Sequence, residues 1–435
     1  MSNAASLKAT DYHRVPMRAL NTVLRGARAL GLARFKLDRD TLLAAARKAT
    51  GLQDFGDDSF LDPMQRLIVA LEVEAELNPV GRFMNRTNIL RLLKHRLYAQ
   101  DLLTRHPEIL QRHIPDPVVV VGLGRSGTTR LHRLLAADPQ FLHLKSWESV
   151  FPVPYPACFT ARAAGQTDPR ITALDQGLKA VLYLSPQVAA VHPLGTFEVE
   201  EEIGLLQHGF SSQIFEIQAK IPTFAEWLMT HDQHAAYEYM VVLMKIISWF
   251  RGDPEDKPWV LKTPQHMQDL DALLQVFPHA RLVCSHRDPV KLVGSVCSTA
   301  WNAMVRDSDT MTADWLGPQW LSKTERMLHK TLRIRDELVP PRNQYDIQYA
   351  DITADWQQAL QGVYDFLGLP FTDEARRNMQ GWLDRNAQHQ HGAHKYSLAD
   401  FGLDAQDVDR RLMFYRQRFT IPYETKNPHL VSAAS

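Results

Sequence analysis

Between residues 15 and 112 the apolar positions recur at helical spacing. Leu42, Leu43, Ala46 and Ala49 follow it in one stretch, and Leu67, Leu71 and residues 73–75 less strictly in another. Asp62-Pro63 and Asn78-Pro79 punctuate this region as helix starts or stops. Near Pro115 the period changes. Val118–Val121 is an apolar strand, and Leu131, Leu134 and Leu135 predict a helix over 128–137 that Asp138-Pro139 stops. A second unit begins with a strand at 259–262. It turns at Thr263-Pro264, an N-cap followed by proline, into a helix with Met267, Leu270, Leu273, Leu274 and Phe277 inward. A third strand at 281–285 turns at residues 286–289 and continues as a helix through Ser295. The fourth, 345–349, precedes a helix carrying Leu360, Val363, Phe366 and Leu367.

This alternation predicts an α/β fold, three-layered, with a mostly parallel central sheet and ligands at the strand C-terminal ends. It divides the chain into an N-terminal helical region, 1–112, and an α/β domain, 113–435. The helical region either covers a sheet edge or acts as a lid that shapes a substrate pocket.

Composition narrows the partners. Lys+Arg and Asp+Glu both number 49, so no global field favours nucleic acid or an acidic membrane, and any basic site is local. Three cysteines, Cys158, Cys284 and Cys297, are too few and scattered for a disulfide framework or a cysteine-based zinc site. The first fifteen residues lack the apolar centre of a signal peptide. The strongest apolar stretch, 240–250, is short and interrupted by Lys245, which predicts a buried helix rather than a membrane span. The expectation is a soluble, cytoplasmic protein with no nucleic-acid partner and no transmembrane segment; its oligomeric state is left open.

The chemistry begins where the first strand ends. Gly122, Gly127 and Thr129 fit G-x-x-x-x-G-x-[ST], the P-loop spacing, but Thr128 stands where a nucleotide triphosphatase carries lysine. Such a loop wraps backbone N–H groups around an anion at a helix N-terminus. Arg125 moves the positive charge inside the loop, which suggests an adenylate donor other than ATP. Arg287 ends the third strand and Ser295 lies eight residues later, about two helical turns on. Together they can grip a second, separate phosphate, because guanidinium meets phosphate bidentately. The alternative makes Arg287 a surface ion-pair partner of Asp288 and Ser295 an ordinary helix residue.

Three segments carry a resemblance: GLGRSGTT at 122–129, WVLKTPQH at 259–266 and RLVCSHRDPVKLVGSV at 281–296. They resemble the cofactor-binding segments of sulfotransferases that use 3′-phosphoadenosine 5′-phosphosulfate (PAPS), in particular the large bacterial branch of that family. The similarity extends over about 115–420, through residues 349–352, 366–369 and 394–403. It implies that Arg125, Ser126, Gly127, Thr128 and Thr129 hold the 5′-phosphosulfate, and that Arg287 and Ser295 hold the 3′-phosphate. It also implies that a loop including His394, Lys395 and Tyr396 closes over the nucleotide. The family's R-K-G-x-x-G pattern is absent from that loop. The reaction so implied moves a sulfuryl group to an acceptor oxygen, less readily nitrogen, with PAP as product and no metal. Arg125 and Lys262 are the candidates for stabilising the departing phosphate.

An acceptor hydroxyl must lose a proton, and two bases compete. Glu148 lies after the first helix, where Trp147 and Phe151 can desolvate it; His266 lies four residues beyond Lys262. Glu148 could instead be an ion-pair partner of Lys145. Glu198, Glu200, Glu201 and Glu202 either face the active site or occupy the first turn of a helix. His389, His391 and His394 lack a carboxylate or cysteine at metal-ligand spacing and read as a nucleotide-facing loop. Apolar and aromatic residues between Trp147 and Trp249 lean toward a pocket for a phenol, sterol or lipid, although core packing accounts for them equally. Two rivals stand beside this reading: an ATP-dependent small-molecule kinase, and a catalytically silent nucleotide-binding protein.

Overall fold

A computed structural model describes residues 7–32, 35–188, 195–386 and 397–424. Its centre is a four-stranded, wholly parallel sheet of β1 (Val118–Val121), β4 (Val260–Lys262), β5 (Arg281–His286) and β6 (Gln344–Gln348), in the order β4-β1-β5-β6. The remaining strands, β2 (Leu144–Lys145) and β3 (Val199–Glu200), form a small antiparallel pair.

The unbroken apolar run of β1 follows from burial on both faces. Alternate residues point to opposite sides. Val119 and Val121 join Leu261, Leu282 and Cys284 in one core, while Val118 and Val120 join Leu131, Leu134, Val283, Ile347 and Leu360 in the other. Register puts Val121 beside Cys284 and Val120 beside Lys262, so the turns after β1, β4 and β5 emerge at one edge.

Several boundaries move from the sequence expectation. The first helix spans Thr128–Ala136, and the fourth strand ends at Gln348, so that Tyr349 opens the next helix. After Thr263-Pro264 the chain makes a 3-10 turn, Pro264–Met267, before the helix Leu270–Val276. The stretch 240–250 lies in a helix, His234–Arg251, that buries Leu243, Met244, Ile246 and Ile247. Among the described residues no helix is long and apolar enough to cross a membrane.

Ahead of β1 run α1 (Val15–Ala29), α2 (Arg39–Thr50), α3 (Leu61–Val73), α4 (Pro79–Arg105) and α5 (Glu108–Gln111). Asn78 accepts from the Gly81 N–H and Pro79 takes the first turn, which is why the predicted punctuation starts α4 there. Leu42, Leu67, Leu71, Leu93 and Leu97 of these helices share a core with Phe210, Phe215, Phe224 and Trp227. Those four aromatic residues, which the sequence left between pocket and core, therefore pack as core.

Candidate active site

The loop after β1 is built tightly. A Cβ on Gly122 would stand 2.8 Å from both the Ser126 hydroxyl and the Ser285 carbonyl. The Ser126 N–H and hydroxyl both donate to the Leu123 carbonyl, at 3.1 and 2.8 Å, and the Ser285 hydroxyl donates to the Ser126 carbonyl at 2.7 Å. Gly127 takes φ +86°, and a Cβ there would lie 2.5 Å from the Tyr349 ring. Arg125 adopts φ +74°, a strained conformation for a residue with a side chain. The following helix starts at Thr128 with no side chain capping its first turn. Its leading N–H groups thus have no intrahelical acceptor and favour an anion.

Arg125, Ser295 and Arg287 converge beside this loop. The Arg125 Nε donates to the Ser295 hydroxyl at 3.1 Å, and the Arg287 Nη1 donates to the Arg125 carbonyl at 2.9 Å. The Arg287 guanidinium lies 4.0 Å over the Tyr349 ring. Its other side is taken: Nε and Nη2 donate to the two carboxylate oxygens of Glu424, at 2.7 and 2.8 Å. That is the two-pronged geometry by which guanidinium meets an oxyanion. Asp288 is not the partner of Arg287. It accepts from the Val290 N–H at 3.1 Å, the Glu424 N–H at 2.9 Å and the Arg416 guanidinium at 2.6 Å. Neither Tyr349 nor Glu424 was singled out for this site by sequence, because each joins it only through long-range packing.

Lys262 ends β4 at the same edge, almost fully buried. Its Nζ donates to the Thr129 hydroxyl at 3.1 Å and pairs with Glu201. The β2–β3 pair delivers that carboxylate: Lys145 registers with Val199, and the chain then leads through Glu200 into Glu201 and Glu202. Glu202 accepts from the Lys262 backbone N–H at 3.0 Å and pairs with the His266 Nε2, while the His266 Nδ1 meets the Tyr237 hydroxyl at 2.9 Å. Burial pushes the Glu202 carboxyl up, but the charge and hydrogen bond of His266 outweigh it and hold the group below its ordinary range. Nearby, burial and then the Lys262 charge push His132 down to about 3. Of the glutamates weighed as a cluster, Glu198 pairs with Arg133 at 3.0 Å, and Glu201 and Glu202 meet Lys262 and His266.

The two bases expected from sequence are both engaged. Glu148 accepts from the Lys145 N–H at 2.9 Å and from the Arg251 Nε at 2.6 Å, and its second oxygen also meets Arg251. The ion pair considered for Glu148 therefore exists, with Arg251 in place of Lys145. His266 has no exposed side-chain surface and both ring nitrogens occupied, whereas Glu201 keeps 14% of its side chain exposed. His394, Lys395 and Tyr396, with His389 and His391, lie outside the described residues.

A parallel sheet with an uncapped, glycine-hinged loop at its edge, flanked by two arginines and a buried lysine, is an arrangement suited to an anion. Similarity to known proteins carries this to a family: a model described as the sulfotransferase family matches residues 117–373, well over half of the chain. The chain belongs to the sulfotransferase family. Its fold is similar to that of the sulfotransferase STF1 of Mycobacterium tuberculosis H37Rv. The match has 32% identity and a TM-score of 0.73, covering 86% of this chain and 97% of that one. It is also similar to STF9 of Mycobacterium avium, at 25% identity and a TM-score of 0.78, covering 89% and 98%. Among curated proteins it is 28% identical over 262 residues to the omega-hydroxy-beta-dihydromenaquinone-9 sulfotransferase Stf3 of Mycobacterium bovis. That match covers 58% of this chain and spans 63% of the relative's length.

Proposed function

We propose that this protein transfers a sulfuryl group from 3′-phosphoadenosine 5′-phosphosulfate to the hydroxyl of a lipid-like small molecule. One observation carries the reading: two anion-gripping devices stand at one sheet edge, coupled through Arg125. The loop with Lys262 suits the 5′-phosphosulfate, and the Arg287 fork suits the 3′-phosphate. The fit is supported by the donor set itself. Gly127 supplies the positive φ that turns the loop under the Tyr349 ring, the helix N-terminus is uncapped, and Arg287 already holds an oxyanion between two of its nitrogens.

When bound, the donor supplies an activated sulfuryl group and a phosphate as leaving group. The protein's share is positioning and charge. Lys262, fixed between Thr129 and Glu201, neutralises negative charge that grows on the departing phosphate oxygen, and Arg125 adds a second positive charge. Glu201 accepts the proton of the acceptor hydroxyl. It is the partly exposed carboxylate beside the loop, and an anion arriving at Lys262 competes with it and releases it for that role. His266 acts indirectly by holding Glu202, which fixes the end of β4 through the Lys262 N–H. Glu148, locked by Arg251, anchors the turn after β2.

The acceptor class rests on the curated relatives, whose name specifies omega-hydroxy-beta-dihydromenaquinone-9. Incubation with sulfur-labelled donor and a panel of terminal alcohols, including a hydroxylated isoprenoid quinone, tests the reading. Label should pass to the alcohol without magnesium. Transfer of phosphate from labelled ATP instead would identify a kinase.

A further inference from the structure

Among the described residues, thirteen large hydrophobic side chains are exposed, and five of them fall between residues 15 and 32: Val15, Leu20, Val23, Leu30 and Leu32. Scattered exposed apolar residues are ordinary; a cluster along one helix and the turn just after it is not. The cluster is ordered by helical spacing. Val15, Ala19, Val23, Gly26 and Leu30 are all exposed and follow one another at intervals of four, four, three and four, which makes a single outward stripe. Val15, Val23 and Leu30 are 78%, 66% and 76% exposed. The side facing the protein is thin by comparison, with only Met17 and Asn21 of α1 buried. Asn21 accepts from the Val80 N–H at 3.0 Å, and just before the helix His13 lies against the Val305 carbonyl.

Charge along this segment has one sign, although Asp309 and Glu76 face Arg25 and Arg28 from neighbouring elements. From residue 13 to 36 the chain carries Arg14, Arg18, Arg25, Arg28, Arg34 and Lys36, and no acidic residue. Arg18 donates to the Thr10 carbonyl at 3.1 Å and Arg25 pairs with Asp309, while Arg14 and Arg28 are exposed along the flank of the helix. Phe83 on α4 is a further exposed apolar side chain, 45% exposed and packed edge-on against Phe35 at 5.2 Å. The whole chain is electrically balanced, so this is a local basic field.

We propose that α1 is a docking surface for an anionic lipid bilayer, lying in the headgroup layer with its Val/Leu stripe inserted and its arginines against lipid phosphates. An amphipathic helix with an apolar stripe, an arginine flank and no acidic residue is what such a surface selects. A second copy of the chain fits less well, because pairing two such helices would set arginine rows against each other. The placement suits a membrane-resident acceptor: Val305, beside His13, lies ten residues beyond Ser295 at the end of the same helix, about 15 Å away. The inference stands apart from sulfuryl transfer, since vesicle binding is read with neither donor nor acceptor present.

The test is flotation of the full chain with vesicles of phosphatidylglycerol or phosphatidylcholine, at low and at high salt. Expected is salt-sensitive binding to phosphatidylglycerol and little to phosphatidylcholine. The double variant Val23→Glu/Leu30→Glu should weaken binding roughly tenfold or more, with an unchanged melting temperature because both positions are solvent-facing. Absence of flotation overturns the proposal, as does equal binding to both lipids or equal binding by the variant. A concentration-dependent dimer that the variant abolishes, without vesicle binding, would assign the face to a second copy.

Discussion

Arg287→Ala separates the two phosphate grips. Its polar contacts among the described residues include two prongs held by Glu424 and one bond, at 2.9 Å, to the Arg125 carbonyl in the loop. On the proposed reading a bound 3′-phosphate takes over the two prongs, whereas the loop bond supports any adenine nucleotide with a 5′-phosphate chain. A hydrogen bond to a charged group contributes about 1.5–3 kcal/mol, and an ordinary one about 1 kcal/mol. The arginine side chain is 23% exposed, so solvent weakens these figures only modestly. ADP should therefore lose about 1 kcal/mol, and 3′-phosphoadenosine 5′-phosphate a further 1.5–3 kcal/mol, roughly ten- to 150-fold in selectivity. Calorimetric titration of both nucleotides against wild type and variant measures the difference. Arg287→Lys, which keeps charge but not the fork, should fall between. Equal losses for the two nucleotides would refute the assignment of the 3′-phosphate to Arg287.

Three further outcomes follow from the same contacts. Glu201→Gln keeps the shape but removes the base, so kcat should fall about 100-fold or more while nucleotide affinity holds or improves; full turnover would reassign the proton acceptor. Glu148→Gln leaves Arg251 with only its longer pairing to Asp253, at 3.5 Å, at a cost of about 2–3 kcal/mol of stability read by denaturant unfolding. Turnover by the folded variant should survive, and its loss at unchanged stability would return Glu148 to the chemistry. His132 and His143 are pushed down by burial, to about 3 and about 4, from 6.5 in the unfolded chain. The unfolded state then takes up protons first as pH falls. Stability is complete above about pH 6.5 and declines steadily below it, by about 1.4 kcal/mol per histidine at pH 5.5. For a chain of this length, the two together lower the melting temperature by about 3 °C. A melting temperature flat from pH 7 to 5.5 would contradict the neutral burial of these rings.

The strands and the phosphate loop were legible because their signals are local. Val118–Val121 can be buried on both faces only as an inner strand, and the glycine spacing of 122–127 follows from positive φ and close approach at Gly127. Lys262 and Arg287 were singled out for a related reason: each sits at or just after a strand end, where a parallel sheet gathers ligand contacts, and Ser295 follows about two helical turns beyond Arg287. The proton acceptor proposed above was not. Glu148 follows the first helix as a base could, yet in the fold its carboxylate pairs with Arg251, a hundred residues later, which no local pattern announces. Glu201 differs from Glu198 and Glu200 only in where the β2–β3 pairing sends it, and no pattern of spacing encodes that register. Glu424 and Tyr349 likewise reach Arg287 through tertiary packing. Tyr349 looked like the end of a strand because its ring packs over the loop while its backbone has already turned helical.

The central claim, a donor carrying both a 5′-phosphosulfate and a 3′-phosphate, is tested most directly by titrating the wild-type chain calorimetrically. The ligands are 3′-phosphoadenosine 5′-phosphate, ADP and ATP, each with and without magnesium. The 3′-phosphorylated nucleotide should bind tightest, at least tenfold over ADP, with no need for magnesium. Preference for ATP, strengthened by magnesium, would contradict the claim and make the loop a kinase's.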